Sequence, residues 1–118
     1  MRSPPIPAIS QPQWRGLQVA AAELLPLAFP NLTHIYLKQD TDSFVVHLSF
    51  SPSYTEEDQK DCQTMVSEIF AAAMGEPVRF SAWQAGLSCP SDNEFVPLLT
   101  PEILERMPPE VAPWRGKL

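Results

Sequence analysis

The strongest pattern of apolar and polar positions in this chain lies between Thr55 and Met74. Thr55 is suited to an N-cap, three acidic residues follow it at the positive end of the helix dipole, and Gly75 and Pro77 mark the stop. The pattern therefore predicts one long amphipathic helix over residues 55–74. Its apolar face follows the three- and four-residue spacing of a helix and comprises Cys62, Met65, Val66, Ile69, Phe70 and Ala73.

A second stretch of helical spacing runs from Trp14 to Phe29. Gly16 weakens its start, and Pro26 is expected to end the helix or kink it. Residues 1–13 contain four prolines, which fix φ and remove backbone donors, so we expect an extended or disordered arm there. The predicted apolar face of this helix comprises Trp14, Leu17, Ala21, Leu24, Leu25 and Ala28.

Between the two helices, residues 33–38 and 43–51 alternate between apolar and polar positions, which predicts two strands of a hairpin. The intervening aspartates favour a turn. With the turn centred on Asp40 and Thr41, Ile35 faces Val46, and alternate residues from Ile35 to Phe50 form one apolar face. The second face of the sheet then carries His34, Tyr36, Lys38, Ser43, Val45, His47 and Ser49.

A third strand is predicted from Val78 to Trp83 or Gln84. Alternation places Phe80 on one side and Trp83 on the other, together with the two histidines. Because this strand follows a helical crossover, we expect it to lie parallel to one hairpin strand. The order α-β-β-α-β over residues 14–84 predicts an α+β fold, a two-layer sandwich with helices on one face of a small sheet.

The remaining segment, residues 85–118, is irregular and rich in proline. It still holds Phe95, Leu98 and Leu99, so we expect it to pack against the core and to close the second sheet face rather than leave that face open for a partner. Thr100 and Pro101 predict a short helix from about residue 101 to 107. We expect one domain over residues 1–118, because a chain of this length supports one ordinary core.

Composition and charge narrow the functional classes. Eight lysines and arginines against fourteen aspartates and glutamates give a net charge of -6, which opposes nucleic-acid binding and favours a basic protein partner. No run has the length of a signal peptide or a membrane span, so we expect a cytoplasmic protein without membrane contact. The two cysteines, Cys62 and Cys89, fit a reducing compartment.

His34 and His47 are the most suggestive pair for chemistry. The predicted register places them opposite each other with Cβ atoms roughly 5 Å apart, close enough to bind a metal or share a proton. A metal site needs three or four ligands, however, and no Cys, Asp or Glu has the spacing to join them, so a structural role is favoured. Cys62 is expected to be a small buried hydrophobe, and Cys89 has no activating neighbour. We expect no cofactor and no catalysis.

In size, acidity and α+β pattern the chain resembles the small cytosolic immunity proteins that bacteria pair with secreted nuclease toxins, a resemblance to a class that rests on no residue motif. It implies a protein that neutralises or escorts a basic partner by charge complementarity. A second hypothesis is a small metal-binding or hydrolytic domain using His34 and His47, and a third is a structural subunit of a larger assembly. Under the first hypothesis the contact residues are Asp40, Asp42, Glu56, Glu57, Asp58 and Asp61, with Tyr36 or Trp83 as anchors.

The acidic residues at the start of the long helix also have a simpler explanation. Glu56, Glu57 and Asp58 offset the positive end of the helix dipole, and Asp61 belongs to a solvated face. Neither a partner nor an oligomeric state follows from these charges alone.

Overall fold

The computed structural model describes residues 6–106, and its α+β architecture confirms the predicted fold class. The observed order contains the predicted α-β-β-α-β succession, followed by a fourth strand and a short helix. The elements are α1 (Gln11–Ala28), β1 (Leu32–Asp40), β2 (Ser43–Phe50), α2 (Glu56–Met74), β3 (Phe80–Gly86), β4 (Val96–Leu99) and α3 (Pro101–Arg106).

The four strands form one mixed sheet in the order β3-β2-β1-β4. β1 is antiparallel to both β2 and β4, whereas β3 is parallel to β2, as expected for strands joined by the crossover helix α2. Both long helices pack on one face of the sheet, where their apolar residues share a single core with alternate residues of β1 and β2. The most deeply buried members include Leu17, Leu25, Ile35, Leu37, Val46, Leu48, Val66 and Phe70.

Helix α2 has the predicted bounds, and its two ends show why. Thr55 and Asp58 form a reciprocal capping box, with Asp58 N donating to Thr55 Oγ1 at 3.1 Å and Thr55 N donating to Asp58 Oδ2 at 3.2 Å. Gly75 ends the helix with φ of 78°, a left-handed conformation in which glycine carries little steric cost.

Helix α1 begins earlier than the apolar pattern predicts. Ser10 and Gln13 form its capping box, and Pro12 lies in the first turn, where a missing N–H breaks no helical hydrogen bond. Ile6 is 2% exposed and Ile9 is 0% exposed, so both belong to the core. The predicted extended or disordered arm is therefore wrong for residues 6–13, and residues 1–5 lie outside the described part of the chain.

Pro26 does not end α1, which continues to Ala28. Phe29 then closes the helix with its backbone N–H donating to Leu25 O at 2.7 Å. Its side chain is buried in the core, so the helix C-terminus is held against the sheet just before β1 begins.

The hairpin forms, but its register differs from the prediction by two residues. Leu37 pairs with Val46 and Ile35 with Leu48, because the turn is centred on Thr41 and Asp42 rather than on Asp40 and Thr41. A two-residue shift preserves the alternation, so the predicted apolar face is retained. The shift does change every cross-strand partner.

Strand β3 contains a bulge that reverses the predicted faces beyond it. Phe44 pairs with Phe80, but Val45 pairs with Ala82, so one residue of β3 is left over. Trp83 consequently aligns with Val46 on the helix face, and its ring lies 4.8 Å from that of Phe80. The prediction that Trp83 shares the second face with the histidines is wrong.

The segment after β3 is more regular than predicted. It supplies the edge strand β4, and Phe95, Leu98 and Leu99 are buried, as expected. Helix α3 begins at Pro101 as predicted, with Thr100 Oγ1 accepting from Ile103 N at 3.1 Å. Over residues 6–106, no helix is both long enough and apolar enough to span a membrane.

Candidate partner-binding site

The second face of the sheet is covered by residues 87–95, which we call the covering loop. Every residue of β2 is buried, including Val45 and His47, whose side chains face away from the helices. The side chain of Phe95 packs edge-on against His47 with ring centroids 6.0 Å apart. The expectation that the segment after residue 85 closes this face is therefore correct over β2.

Both ring nitrogens of His47 have polar partners within the fold. Its Nε2 donates to the carbonyl oxygen of Ser88 at 2.9 Å, and its Nδ1 lies 3.1 Å from the side-chain amide of Gln84. The same carbonyl oxygen also accepts from Ser49 Oγ at 3.2 Å. These contacts attach the covering loop to β2, which is a structural role for the histidine.

Tyr36 connects the covering loop to β1. Its hydroxyl donates to Cys89 Sγ at 3.0 Å, and its ring stacks on His34 and meets His47 edge-on. Burial, reinforced by the hydrogen bond to Cys89, raises the pKa of Tyr36 to about 12, so the hydroxyl remains a donor at neutral pH. A predicted partner anchor is thus already engaged within the fold.

The observed register separates the two histidines. His34 pairs with Ser49 and His47 with Tyr36, so the tyrosine ring lies between the two imidazoles. The prediction that they face each other directly is wrong. Within the described part of the chain, no group of three His, Cys, Asp or Glu residues is placed to hold a metal ion.

An ion pair fixes the far end of the covering loop. Lys38 Nζ lies 2.8 Å from Asp92 Oδ2 and 5.1 Å from the centroid of the Phe95 ring. The hydrogen bond between the two raises the pKa of Lys38, and the same bond lowers that of Asp92. A cavity of about 310 Å³ remains beneath the loop, and its lining includes Lys38, His47, Cys89 and Phe95, all of which already have partners in the fold.

The predicted contact acids do not form one surface. Asp40 and Asp42 lie at the hairpin turn, at the start of β2, whereas α2 begins beyond the end of β2. The eight residues of β2 separate the two positions, and they span about 26 Å at 3.3 Å per residue. Asp42 also has a partner, with Arg79 Nη1 at 3.7 Å from Oδ2. The four α2 acids are therefore the larger and less neutralised group.

On α2 itself, Glu56, Glu57 and Asp61 are exposed, whereas Asp58 is half-buried in the capping box. Lys60 is the single cation of this helix. No side-chain ion pair within residues 6–106 involves any of these five residues. The first three turns of α2 therefore present a negative surface whose one cation, Lys60, makes no ion pair with these acids.

Beside this negative surface lies an open apolar groove between the two long helices. Its volume is about 630 Å³, and it lies on the solvent side of the helix pair, away from the sheet. Leu24 at 49% exposure and Leu27 at 66% are large apolar side chains of α1 that remain accessible. We refer to this feature as the α1/α2 groove, whose lining includes Gly16, Ala20, Leu24, Met65, Ile69 and Ala72.

The groove was not predicted, because the apolar spacing of each long helix was interpreted as facing the core alone. Leu24 was expected in that core but is half exposed. The signal that could have revealed the groove is the width of the apolar stripe, which on α2 reaches from Cys62, fully buried, to Ala72, exposed. When the apolar stripe of a helix is wider than the part that packs against the sheet, the remaining apolar surface can contact a second neighbour.

No protein-family model, curated protein sequence or solved structure matches this chain. Its function is therefore argued from its own residues.

Proposed function

We propose that this protein is a non-catalytic binding protein that neutralises or escorts a basic protein partner. The observation that carries the proposal is the set of exposed carboxylates on α2, Glu56, Glu57 and Asp61, none of which pairs with a cation of residues 6–106. Charged side chains are mostly exposed in any protein, and these three have no ion pair within residues 6–106 that would reduce their charge toward a partner. Exposed and unpaired acids remain available for a partner.

The net charge of the chain supports a cationic partner. Its eight lysines and arginines against fourteen aspartates and glutamates give a formal net charge of -6. Such an excess generates a long-range field that speeds the encounter with a positively charged surface and disfavours phosphate backbones. A partner with a cationic cleft gains most from this field.

The partner class that we propose is a toxin with such a cleft, for example a nuclease, inhibited by this protein in the cytoplasm of a bacterial producer. A nuclease must attract phosphates, so its cleft is cationic and is open to an acidic competitor. An immunity protein that occupies the cleft needs no catalytic group of its own. The reasoning applies equally to an escort that shields the same cleft before secretion.

The test is capture of the partner from source-cell lysate with the tagged full-length chain, at low salt and at about 0.5 M salt, where exposed charge pairs are largely screened. We expect one stoichiometric basic protein, released in part at high salt. The purified partner should then lose its activity as one equivalent of this protein is added. Recovery of no basic protein at either salt concentration would refute the proposal.

A further inference from the structure

We propose that the α1/α2 groove binds a basic amphipathic helix of the partner. The sign of the partner's charge rests on the proposed function, but the groove is a separate surface with its own geometry. Three features carry the inference: the size and openness of the groove, the acids that border it, and the self-repulsion that a second copy of this chain would meet there.

The groove has the volume for one row of side chains. The ideal position of a Cβ on Gly16 meets no atom within 4 Å, so the α1 wall is open at this point. Ala20, Ala72 and Ala73 add little bulk to the walls. The volume of about 630 Å³ is roughly four times the ~150 Å³ that accommodates one benzene ring. Four apolar side chains at i, i+3, i+4 and i+7 of a docked helix match that volume.

The border of the groove on α2 is acidic. Asp58, Asp61, Met65, Glu68 and Ala72 follow one another at spacings of three and four residues, so they form one stripe along the helix. Asp61 and Glu68 are both exposed, and Glu68 is itself part of the groove lining. The apolar floor thus adjoins the carboxylate of Glu68, and Asp61 lies two helical turns before it on the same stripe.

The cations of both helices are directed elsewhere. At 100° per residue, Lys60 lies about 140° around α2 from Met65. On α1, Glu23 lies about 20° around the helix from Gly16, whereas Arg15 lies about 100° from it. A helix entering the groove therefore meets the carboxylate of Glu68 in the α2 wall, and lysines or arginines flanking its apolar row complement this acid.

A second copy of this chain is a poorer occupant. A two-fold dimer through the groove brings equivalent patches together, so Asp61 and Glu68 of each protomer approach the same acids of the other. Like charges in such a contact oppose association. The charge pattern therefore selects a basic helix over self-association.

The probe for this inference is a fluorescein-labelled synthetic 18-residue peptide, with leucines at i, i+3, i+4 and i+7 and lysines at most other positions. Two matched peptides are used as controls, one with glutamate in place of lysine and one with the leucines scrambled off a single face. Binding to the full-length protein is followed by fluorescence anisotropy at low salt. We expect binding of the lysine peptide and at least a tenfold weaker affinity for either control.

The location is tested with variants at exposed positions, which leave the core unchanged. Ala72→Trp fills the groove, Leu24→Gln places a neutral polar group in it, and Ala82→Trp puts the same indole at an exposed position of β3, outside the groove. Thermal unfolding checks that each variant folds. We expect a loss of at least tenfold in peptide affinity for the first two variants and no change for the third.

Several results would overturn the inference. One is a peptide affinity that is unchanged in both groove variants, and another is an equal affinity for the glutamate and lysine peptides. A third is a concentration-dependent dimer of the wild type that Ala72→Trp dissociates. Equal capture of a basic lysate protein by wild type and by Ala72→Trp would uphold the proposed function and refute the groove. Specific peptide binding at the groove, without recovery of a basic partner from the lysate, would uphold the groove and refute the proposed function.

Discussion

At the scale of single residues, the two cysteines show how position decides reactivity. Both are free; Cys62 is fully buried on the core side of α2, whereas Cys89 is exposed in the covering loop. Burial, with a smaller contribution from the charge of Asp58, raises the pKa of Cys62 to about 12. Because the thiolate is the reactive form, the buried thiol is protected twice, by inaccessibility and by protonation.

We therefore predict that a thiol reagent such as DTNB modifies one cysteine of the folded protein at pH 8. Cys89→Ser should abolish this reaction, and Cys62→Ala should leave it unchanged. Adding denaturant should release the second thiol of the wild type at the rate of unfolding. Reaction of two thiols in the native protein would show that the burial of Cys62 is wrong.

Thr41 is the other residue with a notable local property, which is its backbone conformation. Its φ of 51° is left-handed, a conformation that costs a β-branched residue about 1–2 kcal/mol and costs Asn less. We predict that Thr41→Asn raises the free energy of unfolding by about 1 kcal/mol, measured by urea denaturation. Asp42→Asn, the matched change at the adjacent turn position, should give no comparable gain. A loss of stability in Thr41→Asn would contradict the observed turn.

At the scale of elements, the stability of α2 depends on its N-terminal cap. Thr55→Ala removes the side-chain acceptor of Asp58 N, and we predict a loss of about 1 kcal/mol in the free energy of unfolding. Thr64→Ala serves as the control, because that threonine is exposed in mid-helix and its hydroxyl bonds only the carbonyl of Lys60. Equal losses in the free energy of unfolding for the two variants would show that the Thr55 cap does not stabilise α2.

The elements that sequence predicts best are those in which several local signals agree. Residues 55–74 combine a cap, an apolar stripe and a glycine stop, and α2 has these bounds. Alternation in the hairpin defines which residues share a face but leaves the register free by two residues. The observed register places Thr41 in the turn with a left-handed φ, which a β-branched residue disfavours, so the local preference of Thr41 does not predict it.

The missed features have a different origin, because they depend on contacts distant in sequence. The bulge that turns Trp83 toward the helices arises from the pairing of β3 with β2. The burial of Ile6 and Ile9 depends on the core that the whole chain builds, which overrides the extended tendency of a proline-rich segment. For the candidate site, the sequence indicated correctly that Glu56, Glu57 and Asp61 are exposed, but it could not show that Asp58 is half-buried in the cap or that Asp40 and Asp42 lie at the opposite end of β2.

At the scale of the whole molecule, the two sides of the sheet differ in how much surface remains accessible to a partner. The covering loop engages Tyr36, His47 and Lys38 on one side. On the other side, the helix pair leaves an apolar groove and unpaired acids open to solvent. We therefore propose that the partner binds on the helix side, whereas the histidine side has a structural role in the fold.

Acid-to-amide variants distinguish the two ends of the molecule, because each keeps the size of its side chain while removing charge. Glu57→Gln, Asp61→Asn and Glu68→Gln together neutralise three exposed acids of α2. Asp40→Asn with Asp42→Asn neutralises the hairpin turn. Neither set removes a buried side chain, so both proteins should fold as the wild type does.

The most direct measurement is capture of the basic partner from source-cell lysate by the tagged wild type, by the α2 triple variant and by the hairpin double variant, side by side at low salt. We expect one stoichiometric basic protein with the wild type and the hairpin variant, and little or none with the α2 variant. Equal recovery by the α2 variant, or no basic protein with the wild type, would contradict the central claim.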